Sequence, residues 1–102
     1  MQAKITALGV HAPDQIIDNH YFEDFIETSD EWIQSRTGIK TRRFARLNEF
    51  TSDISEKAAL NLAENYGKGL ADVDLILLAT VSPDHVMPSI AAILQHRLGI
   101  PN

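Results

Sequence analysis

The sequence contains no cysteine, and this is its most informative absence. Without a thiol, the 102 residues can form no disulfide bond, no thiolate metal site and no cysteine nucleophile. The sequence also has no Gly-x-Gly-x-x-Gly motif, no phosphate-binding P-loop and no Gly-x-Ser-x-Gly nucleophile motif. Thiol chemistry is therefore excluded within the chain, and nucleotide hydrolysis and dinucleotide chemistry have no local support.

Basic charge is also scarce. Nine Lys and Arg residues stand against fourteen Asp and Glu residues, which gives a net charge of -5. Because affinity for a phosphate backbone needs a basic face, we predict no general nucleic-acid binding. The histidines do not fall at metal-ligand spacing, so no metal site is predicted; they are His11, His20, His85 and His96.

The remaining composition is that of an ordinary soluble domain, with 44% hydrophobic and 23% charged residues. A chain of this length forms one domain at most and buries a thin core. The apolar segment near the N-terminus is too short for a signal peptide or a spanning helix. We therefore expect a cytoplasmic protein with no membrane partner.

Hydrophobic periodicity predicts an α/β architecture. Lys4–Val10 and Leu75–Val81 read as buried strands, and Gly9 indicates a bulge or a close backbone approach. The helical period, with caps and glycine stops, predicts four helices, which lie at about 20–26, 28–37, 51–66 and 88–98. This order predicts a layered, mostly parallel α/β unit, with a further strand expected after Asn102.

The first helix is predicted to begin at the N-cap Asn19. Its apolar residues Phe22, Phe25 and Ile26 recur at helical spacing, so we expect them in the core. Near the C-terminal end of the sequence, Asp84 and His85 could form a pair. Without a nucleophile, this pair is weak evidence for catalysis.

The second helix carries the most distinctive residues. Thr28 and Glu31 have the spacing of a capping box. Trp32 and Arg36 are four residues apart, so they share one face of the helix, and Gly38 is the expected stop. An indole and a guanidinium on one face can hold a planar group together with an anion.

Five of the nine basic residues fall in the eleven positions from Arg36 to Arg46. On an acidic chain this segment reverses the local charge. It is either a surface that steers a phosphorylated ligand or an acidic partner protein, or an ordinary solvated loop. The charge pattern alone favours neither.

The segment Thr-Ser-Asp-Glu-Trp-Ile at 28–33, with Arg-Thr-Gly-Ile at 36–39 and the Arg pair at 42–43, strongly resembles the N-terminal part of β-ketoacyl-acyl-carrier-protein synthase III, in the thiolase superfamily. The resemblance covers essentially the whole chain. It implies a thiolase-like layered α/β fold, of which residues 1–102 form a partial N-terminal domain, the first part of the N-terminal half only.

The resemblance implies a Claisen condensation that begins fatty-acid biosynthesis. An acyl group from acyl-coenzyme A is loaded on a cysteine and attacked by the carbanion from decarboxylating malonyl-acyl carrier protein. The family's Cys-His-Asn set is not in this sequence, so no catalytic residue is assigned and the chain alone is expected to be inactive. No permanently bound cofactor is expected, and the complete protein would be a homodimer that binds acyl carrier protein.

The resemblance also implies roles for four residues. Trp32 would stack on the adenine of coenzyme A, Thr28 would hydrogen-bond near it, and Arg36 would meet the nucleotide end. Met87 falls where the family often places an aromatic residue that lines the partner subunit's acyl pocket. Methionine is unbranched and adaptable, so a different acyl-chain preference is expected to be possible.

Two other interpretations stay open. One is a related natural-product acyltransferase that uses the same tunnel. The other is a non-catalytic module that binds coenzyme A or a carrier protein, with the basic segment Arg36–Arg46 as its docking surface.

Overall fold

The computed structural model describes residues 2–101, which divide into two compact units. Ala12–Asn48 form one unit, which we call the hairpin unit. The residues before it and those from Glu49 onward form the other, which we call the helical unit.

The hairpin unit contains two short strands and two helices, which are β1 (Gln15–Asp18), α1 (His20–Glu23), α2 (Asp30–Thr37) and β2 (Thr41–Phe44). The strands pair antiparallel, with Gln15 opposite Phe44 and Asp18 opposite Thr41. The sequence predicted an extended arm near β1 but no strand at β2. The alternation within β2, where Arg42 and Phe44 are half-buried and their neighbours are exposed, is the signal that indicates it.

Helix α1 begins at His20 with Asn19 at the N-cap position, as predicted, but it is shorter than predicted and Asn19 does not cap it with its side chain. Asn19 has a helical backbone conformation and its side chain makes no cap hydrogen bond. The expectation of a core position is also wrong for Phe25 and Ile26, which are 68% and 59% exposed. The helix ends at Glu23, so these two residues lie beyond it and the helical spacing no longer determines which face they share.

Helix α2 begins one residue later than the predicted capping box requires. Ser29 is the N-cap, with an extended backbone, and its Oγ accepts the N–H of Trp32 at 3.1 Å. Thr28 is left outside the helix, and its Oγ1 is buried with no hydrogen-bond partner. The Thr28–Glu31 capping box is therefore wrong. The predicted stop is confirmed, because Gly38 ends the helix with φ 70°.

The helical unit contains α3 (Thr51–Tyr66) and α4 (Ile90–Arg97), and both confirm predicted helices. Gly67 ends α3 with φ 67°, and Ser89 caps α4 by accepting the N–H of Ala92. The buried apolar residues of this unit are Ile90, Leu94 and Ile100.

Charged side chains link α3 to α4. Arg97 Nη1 donates to Asp53 Oδ1 at 2.9 Å and to Glu56 Oε2 at 3.2 Å. The pKa of Asp53 is held below its ordinary value, first by the main-chain N–H of Phe50 and then by Arg97. Both partners are about one-third exposed, so the ion pair fixes the orientation of the helices more than it adds stability.

The two predicted strands of a parallel sheet do not form a hydrogen-bonded ladder among residues 2–101. A strand needs a neighbouring backbone, and the first segment instead meets side chains of α3: Val10 N–H donates to Asn61, and Asn65 donates to the carbonyl of Leu8. The prediction that the second segment is buried on both faces is wrong for the described residues, since Ile76 and Leu78 are half-buried while Leu75 and Leu77 are exposed. Without a paired neighbour, one face of the segment stays uncovered.

The predicted close approach at Gly9 is confirmed. A Cβ atom at Gly9 would lie 2.4 Å from both the carbonyl oxygen of Ala58 and the nitrogen of Leu62 on α3. No side chain larger than hydrogen fits there without moving the helix backbone.

We expect Gly9→Ala to lower the free energy of unfolding by about 1–3 kcal/mol, because the added methyl group overpacks against α3. Urea unfolding followed by circular dichroism measures this change. Gly69→Ala is the matched control, since nothing lies within 4 Å of a Cβ at Gly69. Equal unfolding midpoints for the two variants would contradict the close approach.

The capping arrangement of α2 gives a second prediction. Ser29→Ala should lower stability by about 1 kcal/mol, because it removes the N-cap acceptor. Thr28→Val should leave stability unchanged or slightly raised, because the Thr28 hydroxyl has no partner to lose. Thermal unfolding of both variants shows which residue caps the helix. A larger loss of stability in Thr28→Val than in Ser29→Ala would support the Thr28–Glu31 capping box instead.

Candidate functional site

The exposed face of α2 carries Trp32 and Arg36, as the spacing predicted. The indole of Trp32 is 57% exposed, and the guanidinium carbon of Arg36 lies 5.9 Å from the centre of its ring. This distance is within the range of a cation–π contact, which holds the guanidinium beside the ring. The helix thus presents a flat aromatic surface next to a positive charge.

A groove with a volume of about 380 Å³ opens beside Trp32, and we call it the Trp32 groove. Eight side chains from α1, α2, β2 and the segments next to them line it, and they are predominantly apolar. They are Phe22, Ile26, Thr28, Trp32, Ile33, Thr37, Arg42 and Phe44.

The structure brings together three of the four residues that the resemblance implies. Thr28 and Trp32 line the groove, and Arg36 does not line it but contacts the Trp32 ring. The buried Thr28 hydroxyl has no hydrogen-bond partner. Met87 belongs to the helical unit, where its side chain is 82% exposed.

Arg42 is a groove residue that sequence reasoning placed only in the basic segment. Its guanidinium carbon lies 4.8 Å from the centre of the Phe22 ring, and its Nη1 donates to Asn19 Oδ1 at 2.8 Å. No salt bridge to a carboxylate joins this half-buried guanidinium within the part of the chain that the structure describes. The neighbouring Arg43 faces away and donates to the carbonyl of Pro13 at 3.3 Å.

Beneath the groove, Asn19 is completely buried. Its Nδ2 donates to Asp30 Oδ1 at 2.9 Å and to the carbonyl of Ile39 at 2.7 Å. Asp30 Oδ2 also accepts from Gln34 at 2.7 Å. The hydrogen bonds from Gln34 and then Asn19 hold the pKa of Asp30 below its ordinary value, so the carboxylate stays ionised at the start of α2.

Elsewhere, Asp84 is engaged in structure. Its Oδ1 accepts the main-chain N–H of Ser52 at the start of α3, at 3.0 Å. Burial raises the pKa of Asp84, but hydrogen bonding from Ser52 outweighs burial and the pKa lies below its ordinary value. This carboxylate is a helix-terminal acceptor, as expected where the helix dipole favours negative charge.

Two kinds of feature are not found between residues 2 and 101. No group of three or more His, Asp or Glu side chains is arranged to hold a metal ion. No helix in the same range is long and apolar enough to cross a membrane.

The chain is similar along nearly its whole length to proteins named β-ketoacyl-[acyl-carrier-protein] synthase III. It is 53% identical over 100 residues to the synthase III 2 of Staphylococcus epidermidis and 48% identical over 101 residues to the synthase III of Clostridioides difficile. These alignments cover 98% and 99% of the chain but 31% of each relative, so the chain spans less than a third of the length of these curated relatives. No model of a known protein family matches the chain.

Solved structures give the same result. β-Ketoacyl-[acyl carrier protein] synthase III from Thermus thermophilus matches 96% of the chain with a TM-score of 0.88 and 43% identity, over 30% of its own chain. The priming β-ketosynthase from the R1128 polyketide biosynthetic pathway matches 97% of the chain with a TM-score of 0.89 and 27% identity, over 30% of its own chain. The predicted thiolase-like α/β fold is thereby confirmed as a partial one. The chain belongs to the β-ketoacyl-[acyl-carrier-protein] synthase III family.

Proposed function

We propose that the complete protein containing this chain condenses an acyl-coenzyme A with malonyl-acyl carrier protein and so initiates fatty-acid biosynthesis. Family membership supports this reaction class. This chain would contribute the entrance for coenzyme A, while the reacting groups would lie elsewhere in the complete protein. Because the chain has no cysteine, it cannot itself accept the acyl group, and alone it would be inactive.

The observation that carries the coenzyme A assignment is the Trp32 groove. An exposed indole next to a guanidinium suits a purine with an attached phosphate, because the ring stacks on the indole and the cation bonds the anion. In this proposal adenine stacks on Trp32, Arg36 contacts a phosphate, and Thr28 hydrogen-bonds the adenine edge. Thr28 lines the groove and its hydroxyl has no hydrogen-bond partner among the described residues, so a rotation that turns it toward the groove would give it one on the ligand.

The partners follow from the same assignment. Acyl-coenzyme A and malonyl-acyl carrier protein would be substrates, and no resident cofactor would be needed. The exposed basic residues Lys40, Arg43 and Arg46 would steer the acidic carrier protein or the phosphorylated handle. The complete protein would be a cytoplasmic homodimer.

A related natural-product acyltransferase is the second candidate, because the polyketide priming ketosynthase shares the fold. The higher identity to the synthase III proteins favours the fatty-acid reaction. Product analysis with different acyl-coenzyme A primers separates the two candidates.

The first test uses the complete protein, supplied with acyl-coenzyme A and malonyl-acyl carrier protein. Trp32→Ala should raise the KM for acyl-coenzyme A roughly 5- to 150-fold, which corresponds to about 1–3 kcal/mol of stacking. kcat should change little, because the interaction is made with the handle and not with the reacting atoms.

Phe25→Ala is the matched control for this test, since Phe25 is a 68% exposed aromatic residue that does not line the groove. Its KM should stay within twofold of wild type. If the wild-type protein forms no ketoacyl product, the proposed condensing activity is wrong. If it also binds coenzyme A, the non-catalytic module is favoured. If the protein is active but Trp32→Ala leaves the KM for acyl-coenzyme A unchanged, only the assignment of the Trp32 groove to coenzyme A is wrong.

We further propose that Met87 lines an acyl pocket and influences chain length. Met87→Phe should lower kcat/KM for butyryl-coenzyme A relative to acetyl-coenzyme A by about tenfold, because a rigid ring removes space for added methylene groups. The ratio of the two kcat/KM values measures the effect. Val86→Phe is the control at the neighbouring position, which is 92% exposed; the same change in both variants would contradict a specific role for Met87.

A further inference from the structure

The buried amide of Asn19 uses both ends of its side chain. Its Nδ2 donates both of its protons, to the Asp30 carboxylate and the Ile39 carbonyl, and its Oδ1 accepts from Arg42. This pattern determines the orientation of the amide, because a flipped amide would face the two acceptors with its oxygen. With 0% exposure, none of these bonds is exchanged with water at low cost.

The three partners of Asn19 lie at structurally separate places. Asp30 is the first residue of α2, and Ile39 directly follows the glycine that ends this helix. Arg42 lies on β2. A single side chain therefore holds both ends of α2 and connects them to the neighbouring strand.

The same two elements line the Trp32 groove. Helix α2 contributes Trp32 and Ile33, and β2 contributes Arg42 and Phe44. A change in the spacing of α2 and β2 therefore changes the shape of the groove. Within residues 2–101, no main-chain hydrogen bond joins α2 to β2, so beyond the short segment 38–40 that connects them in sequence, side chains link the two elements.

We propose that Asn19 is a positioning residue for the coenzyme A entrance, which sets the spacing between α2 and β2 and thereby the affinity of the Trp32 groove for the nucleotide. The inference rests on the proposed function for the identity of the ligand. It goes beyond that function in assigning ligand affinity to a residue that does not line the groove.

Asparagine is the residue type that this position requires. An aspartate of the same shape would lose both donated hydrogen bonds and would place a second carboxylate against Asp30 and a carbonyl. Its contact with Arg42 would persist as an ion pair. Asn19→Asp therefore breaks the link to α2 selectively while keeping the link to β2.

The test measures coenzyme A binding to the complete protein by isothermal titration calorimetry. Asn19→Asp should raise the Kd at least tenfold. The double variant Asn19→Asp with Asp30→Asn exchanges donor and acceptor between these two side chains, but it leaves the Ile39 carbonyl without its donor. It should therefore recover part of that loss. Asn48→Asp, an exposed position in the same unit, adds the same charge and should leave the Kd within twofold.

Rescue ties the loss of affinity to the contact between Asn19 and Asp30. Circular dichroism of each variant, recorded beside the titration, separates this loss from a loss of fold. Amide hydrogen exchange provides a ligand-independent measurement. The N–H groups of Ile33 and Gly38, which are bonded within α2, should exchange at least fivefold faster in Asn19→Asp. In the double variant the exchange of Ile33, near Asp30, should recover, while that of Gly38, beside Ile39, should stay fast. If Asn19→Asp does not fold, Asn19→Ser removes the amide without adding charge and should also raise the Kd and the exchange rates.

The outcomes keep the two proposals distinct. A wild-type protein that does not bind coenzyme A overturns the proposed function, while the exchange rates still test the link between Asn19 and α2. If the wild-type protein binds coenzyme A and a folded Asn19 variant binds it with a Kd within twofold of wild type, the positioning role is wrong. An increase in Kd that the Asp30→Asn substitution leaves undiminished also overturns it.

Discussion

The hairpin unit depends on one buried amide. Ile33 is a buried apolar residue of this unit, while several of its large apolar side chains, including Phe25 and Trp32, remain exposed. Because the unit buries little apolar surface, the hydrogen bonds of Asn19 are the main interaction that stabilises the arrangement of α2 and β2. Each such bond contributes about 1 kcal/mol net, but a buried polar group left without its partner costs more than the bond contributes.

This arrangement explains how an acidic chain presents a cationic, aromatic groove. The carboxylate of Asp30 accepts hydrogen bonds from Asn19 and Gln34, and these bonds stabilise its negative charge. Arg36 and Arg42 are directed to aromatic rings and remain available to an anion. Net charge is therefore a poor guide to the ligand, because the placement of a few side chains reverses its sign locally.

The presence of the helices and the glycine ends of α2 and α3 could be predicted, because the responsible interactions are local. Gly38 and Gly67 adopt positive φ at the ends of α2 and α3, where the periodic pattern stops. The strand predictions failed differently: the segment Leu75–Val81 is half exposed and unpaired where a strand buried on both faces was predicted, because a strand needs a partner backbone, which its own sequence does not specify. At the start of α2, the neighbouring hydroxyl residues Thr28 and Ser29 are both suitable N-caps. The capping-box spacing indicated Thr28, whereas the structure uses Ser29.

The sequence by itself determined that the chain has no thiol chemistry, that Trp32 and Arg36 share a helical face, and to which family its motifs point. These properties depend on composition or on residues within one turn of a helix. Only the tertiary structure decided that Asn19 is a buried link instead of a helix cap, that Arg42 lines the groove, and that Thr28 keeps an unpartnered hydroxyl. The physical reason is separation along the chain, since Asn19 meets partners 11 to 23 residues away, and such contacts exist only after the intervening elements have packed.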